Sequence, residues 1–319
     1  MDLQTTLAQA TALQSAIASQ QQALQSLTSQ SQTLQTSISA ILESLKTLAT
    51  PPPTTLPANQ NPSLARVQTW LGDKTVGVYF GTDTVTWRAP QFVGPAQEIK
   101  SWGADYGIVK FGADIGVEWY DGTVADIRKS FTDTGLGMAP YLYVNPGQVT
   151  NAAQIALHLC SVCEGVILDI EDGWGGYDSQ LRYLLDTLHR GAPDACVILT
   201  GYGDPLYRFG QQGFPHGVVK AALAQGVLHA YQPQWYFGVW DVYKNSGWQA
   251  AIDWGDADVA SAYGADAILQ PAISIEGVHP SDFQPVAQYL KNWHAGIALW
   301  YKDQGTADIV HQLKAGLSS

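Results

Sequence analysis

The stretch Glu164–Trp174 reads EGVILDIEDGW, an apolar run that turns acidic at its end. Side chains of a strand point alternately to its two faces, so Val166, Leu168 and Ile170 share one face and Ile167, Asp169 and Glu171 the other. A strand that is apolar on both faces is covered on both, as parallel strands under helices are. Asp169 and Glu171 leave such a strand on the same side. Burying a lone charge costs several kcal/mol unless it is paired or neutralised, so the pair must reach an opening or share a proton.

Other apolar runs with strand character lie on both sides of this one: Thr75–Phe80, Tyr106–Phe111, Gly137–Val144, Ala195–Thr200, Val227–Gln232, Ala265–Ala272 and Gly296–Trp300. Helix-length segments alternate with them, near 95–103, 123–134, 151–162, 177–190, 215–225, 246–263, 282–293 and 305–316. Thr150-Asn151 and Ser281-Asp282 open two of these, and Gly135 and Gly191 sit at ends. Eight strands alternating with eight helices predict an α/β chain folded as a (β/α)8 TIM barrel over residues 64–319. The rival, a doubly wound open sheet, lacks its phosphate loop, because Gly77, Gly81 and Gly112 form no GxGxxG before a helix.

Functional groups of such barrels stand at the C-terminal ends of the strands. Asp169 and Glu171 then form the candidate catalytic pair at the open mouth, the plainer alternative being that Asp169 or Asp172 caps the next helix. Tyr143, Asn145, Tyr202, Gln232, Gln234, Trp235, Gln270 and Trp300 fall at or near other strand ends. They are the candidate substrate-binding residues, aromatics stacking on flat faces and amides bonding hydroxyls, with packing as the competing role for each. The 11 Trp and 15 Tyr suit such a site, although core filling accounts for most of them.

The N-terminal fifty residues are of another kind. They contain no Gly, Pro, Trp or Tyr, and their only charges are Asp2, Glu43 and Lys46. A heptad places a at Leu3, Ala10, Ile17, Leu24, Ser31, Ile38 and Leu45, and d at Thr6, Leu13, Gln20, Leu27, Leu34, Ile41 and Leu48. Eleven of these fourteen positions are apolar, which predicts an N-terminal α-helical coiled coil over residues 1–49. One helix cannot cover its own stripe, and the e and g positions carry almost no charge to choose a different chain. Self-association follows, a parallel trimer favoured over a dimer, with packing on another protein of a larger assembly as the alternative. Residues 50–63, TPPPTTLPANQNPS, carry five prolines and read as an extended linker.

Composition excludes several classes. Lys+Arg 16 against Asp+Glu 28 leave a net charge of −12, which argues against nucleic acid as a partner. No apolar run is long enough for a membrane span, and MDLQTTLAQA has no signal-peptide pattern. The seven His form no HxH or HExxH pair and no GxSxG occurs, so neither a metal site, a serine nucleophile nor a cofactor is expected. Cys160, Cys163 and Cys196 belong to the bottom of the barrel and read as buried thiols, with a disulfide to Cys196 left open.

LDIED on a fourth strand resembles the D-x-E strand of glycoside hydrolase family 25 muramidases and, more loosely, the acidic fourth-strand motif of family 18 chitinases. GIVKFGAD followed by WYDG is similar to the second strand of family 25 and the loop after it, MAPYLYVNP to its third strand, and IALWYKD to its Trp-bearing last strand. The resemblance implies Glu171 as proton donor to a glycosidic oxygen and Asp169 as the second carboxylate, steering the intermediate or holding Glu171 protonated. The first strand departs from the pattern: family 25 has an aspartate there, and this chain reads VGVYFG, with Asp83 a few residues later. A coiled coil, a proline linker and a glycosidase-like barrel together resemble bacteriophage tail fibres. That resemblance implies a virion tail protein held by other tail proteins, acting at the host surface on cell-wall or surface polysaccharide. Three roles are then open: a hydrolase, a head that binds glycan without cutting it, or a structural decoration.

Overall fold

The computed structural model describes residues 70, 72, 74–80, 89–112, 123–171, 173–209, 213–236, 247–274, 280–291, 296–300 and 306–319, together with residues 2, 14 and 20. The chain divides into two units, Met1–Ala58 and Asn59–Ser319, and the second holds the barrel. The expected coiled coil of residues 1–49, apart from those three positions, and the linker at 50–63 lie outside the described residues. So do Asp83, Asp172, the WYDG segment and residues 301–303.

Eight strands follow in chain order: β1 (Val76–Tyr79), β2 (Tyr106–Gly112), β3 (Gly137–Tyr143), β4 (Gly165–Asp169), β5 (Cys196–Tyr202), β6 (Ala230–Trp235), β7 (Ala272–Ser274) and β8 (Ile297–Trp300). Each pairs in parallel with the next, and β1 pairs with β8, so the sheet closes on itself. The helices are α1 (Ala89–Ser101), α2 (Thr123–Thr132), α3 (Val149–Cys163), α4 (Asp178–Gly191), α5 (Pro205–Phe209), α6 (His216–Ala224), α7 (Gly247–Tyr263), α8 (Phe283–Leu290) and α9 (Thr306–Ser318). This is the α/β TIM barrel that the strand–helix alternation predicts.

Alternation splits the core in two. Val76, Val78, Val166, Leu168, Val197 and Leu199 face the helices and join one large apolar cluster. Tyr79, Tyr106, Ile108, Tyr141, Ile167, Ile198 and Ala298 face the axis and join a second. Trp70 plugs the N-terminal end of the axis, and Gly165 makes room for it: a Cβ there would lie 2.9 Å from the Trp70 ring. Above the plug runs a buried polar chain. Gln270 Nε2 donates to Trp70 O at 2.6 Å and contacts Tyr106 OH at 2.7 Å. Gln232 Nε2 donates to Gln270 Oε1 at 2.8 Å, and the Tyr79 hydroxyl donates to Gln232 Oε1. Each amide is satisfied inside the barrel, as buried polar groups must be.

Three boundaries differ from expectation. Helix α1 begins at Ala89 and carries Pro95 inside it, because burial of Phe92 against Phe80 and Phe131 (5.9 Å each) holds the turn that precedes the proline. Strand β6 starts at Ala230, later than Val227, since Val227 and Leu228 still bond the Ala222 carbonyl at the end of α6. Strand β7 is only Ala272–Ser274, with an isolated bridge from Leu269 to Tyr231 before it, because Gly264 (φ +107) and the next residues turn out of α7. Helix α5 was not expected.

Candidate active site

Strand β4 ends at Asp169, and Glu171 stands two residues on, in the same inward series as Ile167. Asp169 is 3% exposed and Glu171 is half-buried. Register brings the neighbours alongside: Tyr143 of β3 lies opposite Asp169, and Thr200 of β5 lies opposite it on the other side. The Tyr141 hydroxyl bonds Asp169 Oδ2. Gln234 of β6 ties the two acids together, its Nε2 donating to Glu171 Oε1 at 2.7 Å and reaching Asp169 Oδ1 at 3.4 Å.

Burial drives the Asp169 carboxyl well above the usual carboxylate range, and the charge of the neighbouring Glu171 pushes the same way. The Tyr141 hydrogen bond and the charge of Lys110 pull back without reversing the shift. Asp169 therefore keeps a proton well above the pH at which an exposed aspartate loses its own. Burial also raises Tyr79, Tyr141 and Tyr236, so their hydroxyls stay neutral donors.

Aromatic rings surround the pair. Tyr79 meets Tyr141 edge-on at 5.3 Å and Trp300 at 5.0 Å, and Tyr236 stacks on Trp300 at 6.3 Å. Lys110 of β2 lies opposite Tyr141, its Nζ 6.0 Å from the Tyr141 ring and 5.9 Å from the Tyr143 ring. Two carboxyls at the rim of a half-buried aromatic cup can stack a sugar ring and protonate an oxygen beside it.

Of the residues expected from sequence, Asp169, Glu171, Gln234, Tyr143 and Trp300 come together here. Two corrections are needed. Trp235 faces the helices: it is fully buried, its Nε1 donates to Gly203 O at 3.1 Å, and its indole fills a slot between Gly203 and Gly255. Tyr202 packs into the barrel-to-helix cluster, and its carbonyl accepts from Tyr231 at 2.6 Å. Gln232 and Gln270 are inward but lower, each bonded to the other. Asn145 is exposed and its Oδ1 accepts from Gly147 N at 3.0 Å, capping the turn Pro146–Gln148. Sequence reasoning passed over Tyr79, Tyr141, Tyr236 and Lys110. Their signal is strand parity: Lys110 is two steps of two from Tyr106, and Tyr236 is two beyond Gln234. Within VGVYFG of β1, Tyr79 points inward and Phe80 outward.

Cys160, Cys163 and Cys196 are free and buried, and burial pushes each thiol up to about 12. Among the described residues no cluster of three His, Cys, Asp or Glu side chains could hold a metal ion, and no helix is long and apolar enough to cross a membrane.

No protein-family model matches the sequence, and no curated protein matches it. Solved structures do match. The catalytic domain of a family GH18 chitinase from the fern Peteris ryukyuensis superposes with TM-score 0.49 at 14% identity, over 77% of this chain and 100% of that one. A GH18 chitinase from Pseudoalteromonas aurantia gives 0.49 at 12%, over 76% and 99%. The homocysteine methyltransferase MmuM from Escherichia coli, apo form, gives 0.51 at 12%, over 80% and 100%. At 12% identity the likeness to the methyltransferase is one of barrel fold.

Proposed function

We propose that the barrel is a glycan-engaging head that hydrolyses a glycosidic bond with Asp169 and Glu171. One observation carries this reading: the buried carboxyl of Asp169 is joined through Gln234 to the second, half-buried carboxyl of Glu171 in an aromatic mouth. A glycosidase needs two acids about the bond, one of them protonated near neutral pH. Asp169 passes the proton it stores to Glu171, which, being the more accessible, delivers it to the glycosidic oxygen as that bond breaks. Asp169, now ionised, opposes the positive charge developing on the sugar until a water adds to the anomeric carbon and its proton returns to the acid pair. Gln234 holds Glu171 toward the mouth by its 2.7 Å bond. Tyr79 and Trp300 supply stacking surface.

Incubation with cell-wall glycan and a count of new reducing ends tests this, with Glu171→Gln alongside. Release that the variant loses supports hydrolysis by Glu171. No release, with both proteins still retained by the wall, supports the second reading, a binding head, which Tyr79 favours by standing where the muramidase pattern has an acid.

The same proposal places the chain in a virion tail, acting at the host surface. Its support is the heptad of residues 1–49 and the prolines of 50–63. Several weak glycan sites on one stalk gain avidity. Light scattering on the full chain should give about three times 34.4 kDa for the favoured trimer, and a monomer mass would refute the stalk.

A further inference from the structure

Among the described residues Lys110 is a cation of the mouth, and neither the acid pair nor the aromatic cup explains it. It takes an inward position on β2, in series with Tyr106 and Ile108. Its stem is half-buried and its ammonium stands near the rings of Tyr141 and Tyr143, at 6.0 and 5.9 Å. Its charge is felt at Asp169, yet among the described residues no carboxylate pairs with it and no acceptor bonds it. Two ring faces offset part of the cost of partly desolvating an ammonium, but they accept none of the hydrogen bonds that its N–H groups can donate. The chain as a whole carries −12, so this cation is no part of a general basic surface.

We propose that Lys110 is an anion subsite, which selects glycans bearing a negatively charged substituent on the sugar held at the acid pair. This rests on the glycan reading above and narrows it. An ammonium between two tyrosine rings fits a group set at the edge of a stacked sugar: the ring lies on the aromatic surface while the anion reaches Nζ. Either a carboxylate or a phosphate would serve. Both accept several charge-assisted hydrogen bonds, and both are repelled by the surrounding acids unless a cation meets them. A neutral sugar offers Lys110 only hydroxyl oxygens, which accept more weakly than a charged group does.

The test uses the full chain and matched oligosaccharides. One pair is a carboxylated oligosaccharide and its carboxyl-reduced form; the other is a phosphorylated oligosaccharide and its dephosphorylated form. Affinities are measured by calorimetry for the natural chain, Lys110→Met and Lys110→Arg, with thermal unfolding to establish that each variant folds. The expected result is a preference of about tenfold or more for one anionic form, lost in Lys110→Met and largely kept in Lys110→Arg. Which pair shows the preference identifies the anion. Equal binding of charged and neutral forms by the natural chain would overturn the anion subsite while leaving the glycan reading intact. A preference that Lys110→Met retains in full would overturn it too. Binding of no oligosaccharide would overturn both. If Lys110→Met fails to fold, the same comparison on Lys110→Gln decides.

Discussion

Replacing Asp169 by Asn removes one ionisable proton from a fully buried position and should change how stability depends on pH. In the folded chain burial and Glu171 keep Asp169 protonated where an unfolded aspartate, near 3.9, has let its proton go. The native state therefore binds the extra proton. Stability contributed by this residue is complete below the unfolded value and is lost as pH rises toward the folded one. The slope for a single proton is at most about 1.4 kcal/mol per pH unit. In a domain of this size 1 kcal/mol moves Tm by about 2–4 °C, so the loss amounts to roughly 3–6 °C per pH unit. Asn has nearly the shape of Asp, and its Oδ1 can accept the Tyr141 hydroxyl, so the fold should persist. Thermal unfolding of both proteins from pH 4 to 8 should give curves that meet at the acid end and separate upward, the variant being the more stable. The variant should also lose reducing-end release, having lost the proton it is assigned. Parallel curves across the whole range would refute the argument that Asp169 stores a proton.

Gly255→Ala would drive a methyl into the Trp235 indole and to 2.9 Å from the Gly203 carbonyl oxygen. It should cost about 1–3 kcal/mol as overpacking, seen as a lower Tm, with glycan affinity unchanged because Trp235 faces away from the mouth. Cys160, Cys163 and Cys196 should resist maleimide in the folded protein at pH 8, since burial holds each thiol protonated, and mass spectrometry should find three adducts after denaturation.

Periodicity made the barrel legible, since a strand buried on both faces and a helix buried on one leave different repeats in the chain. The acid pair was legible for the same reason: Ile167, Asp169 and Glu171 are two apart, and that step is local. In QPQWY the step is equally regular, but amides and rings give no local clue to which face is inside. Trp235 turns outward because Gly203 and Gly255, distant in sequence, form its slot, while Gln234 turns inward to meet acids from β4. Lys110 reads as an ordinary surface lysine until closure of the sheet brings Tyr141, Tyr143 and Asp169 around it. Depth along the axis follows from the stagger of all eight strands. That stagger sets Asp169 deeper than Glu171, and Gln232 and Gln270 deeper than either, so identity and spacing named the groups while burial, a sum over many distant neighbours, assigned the proton.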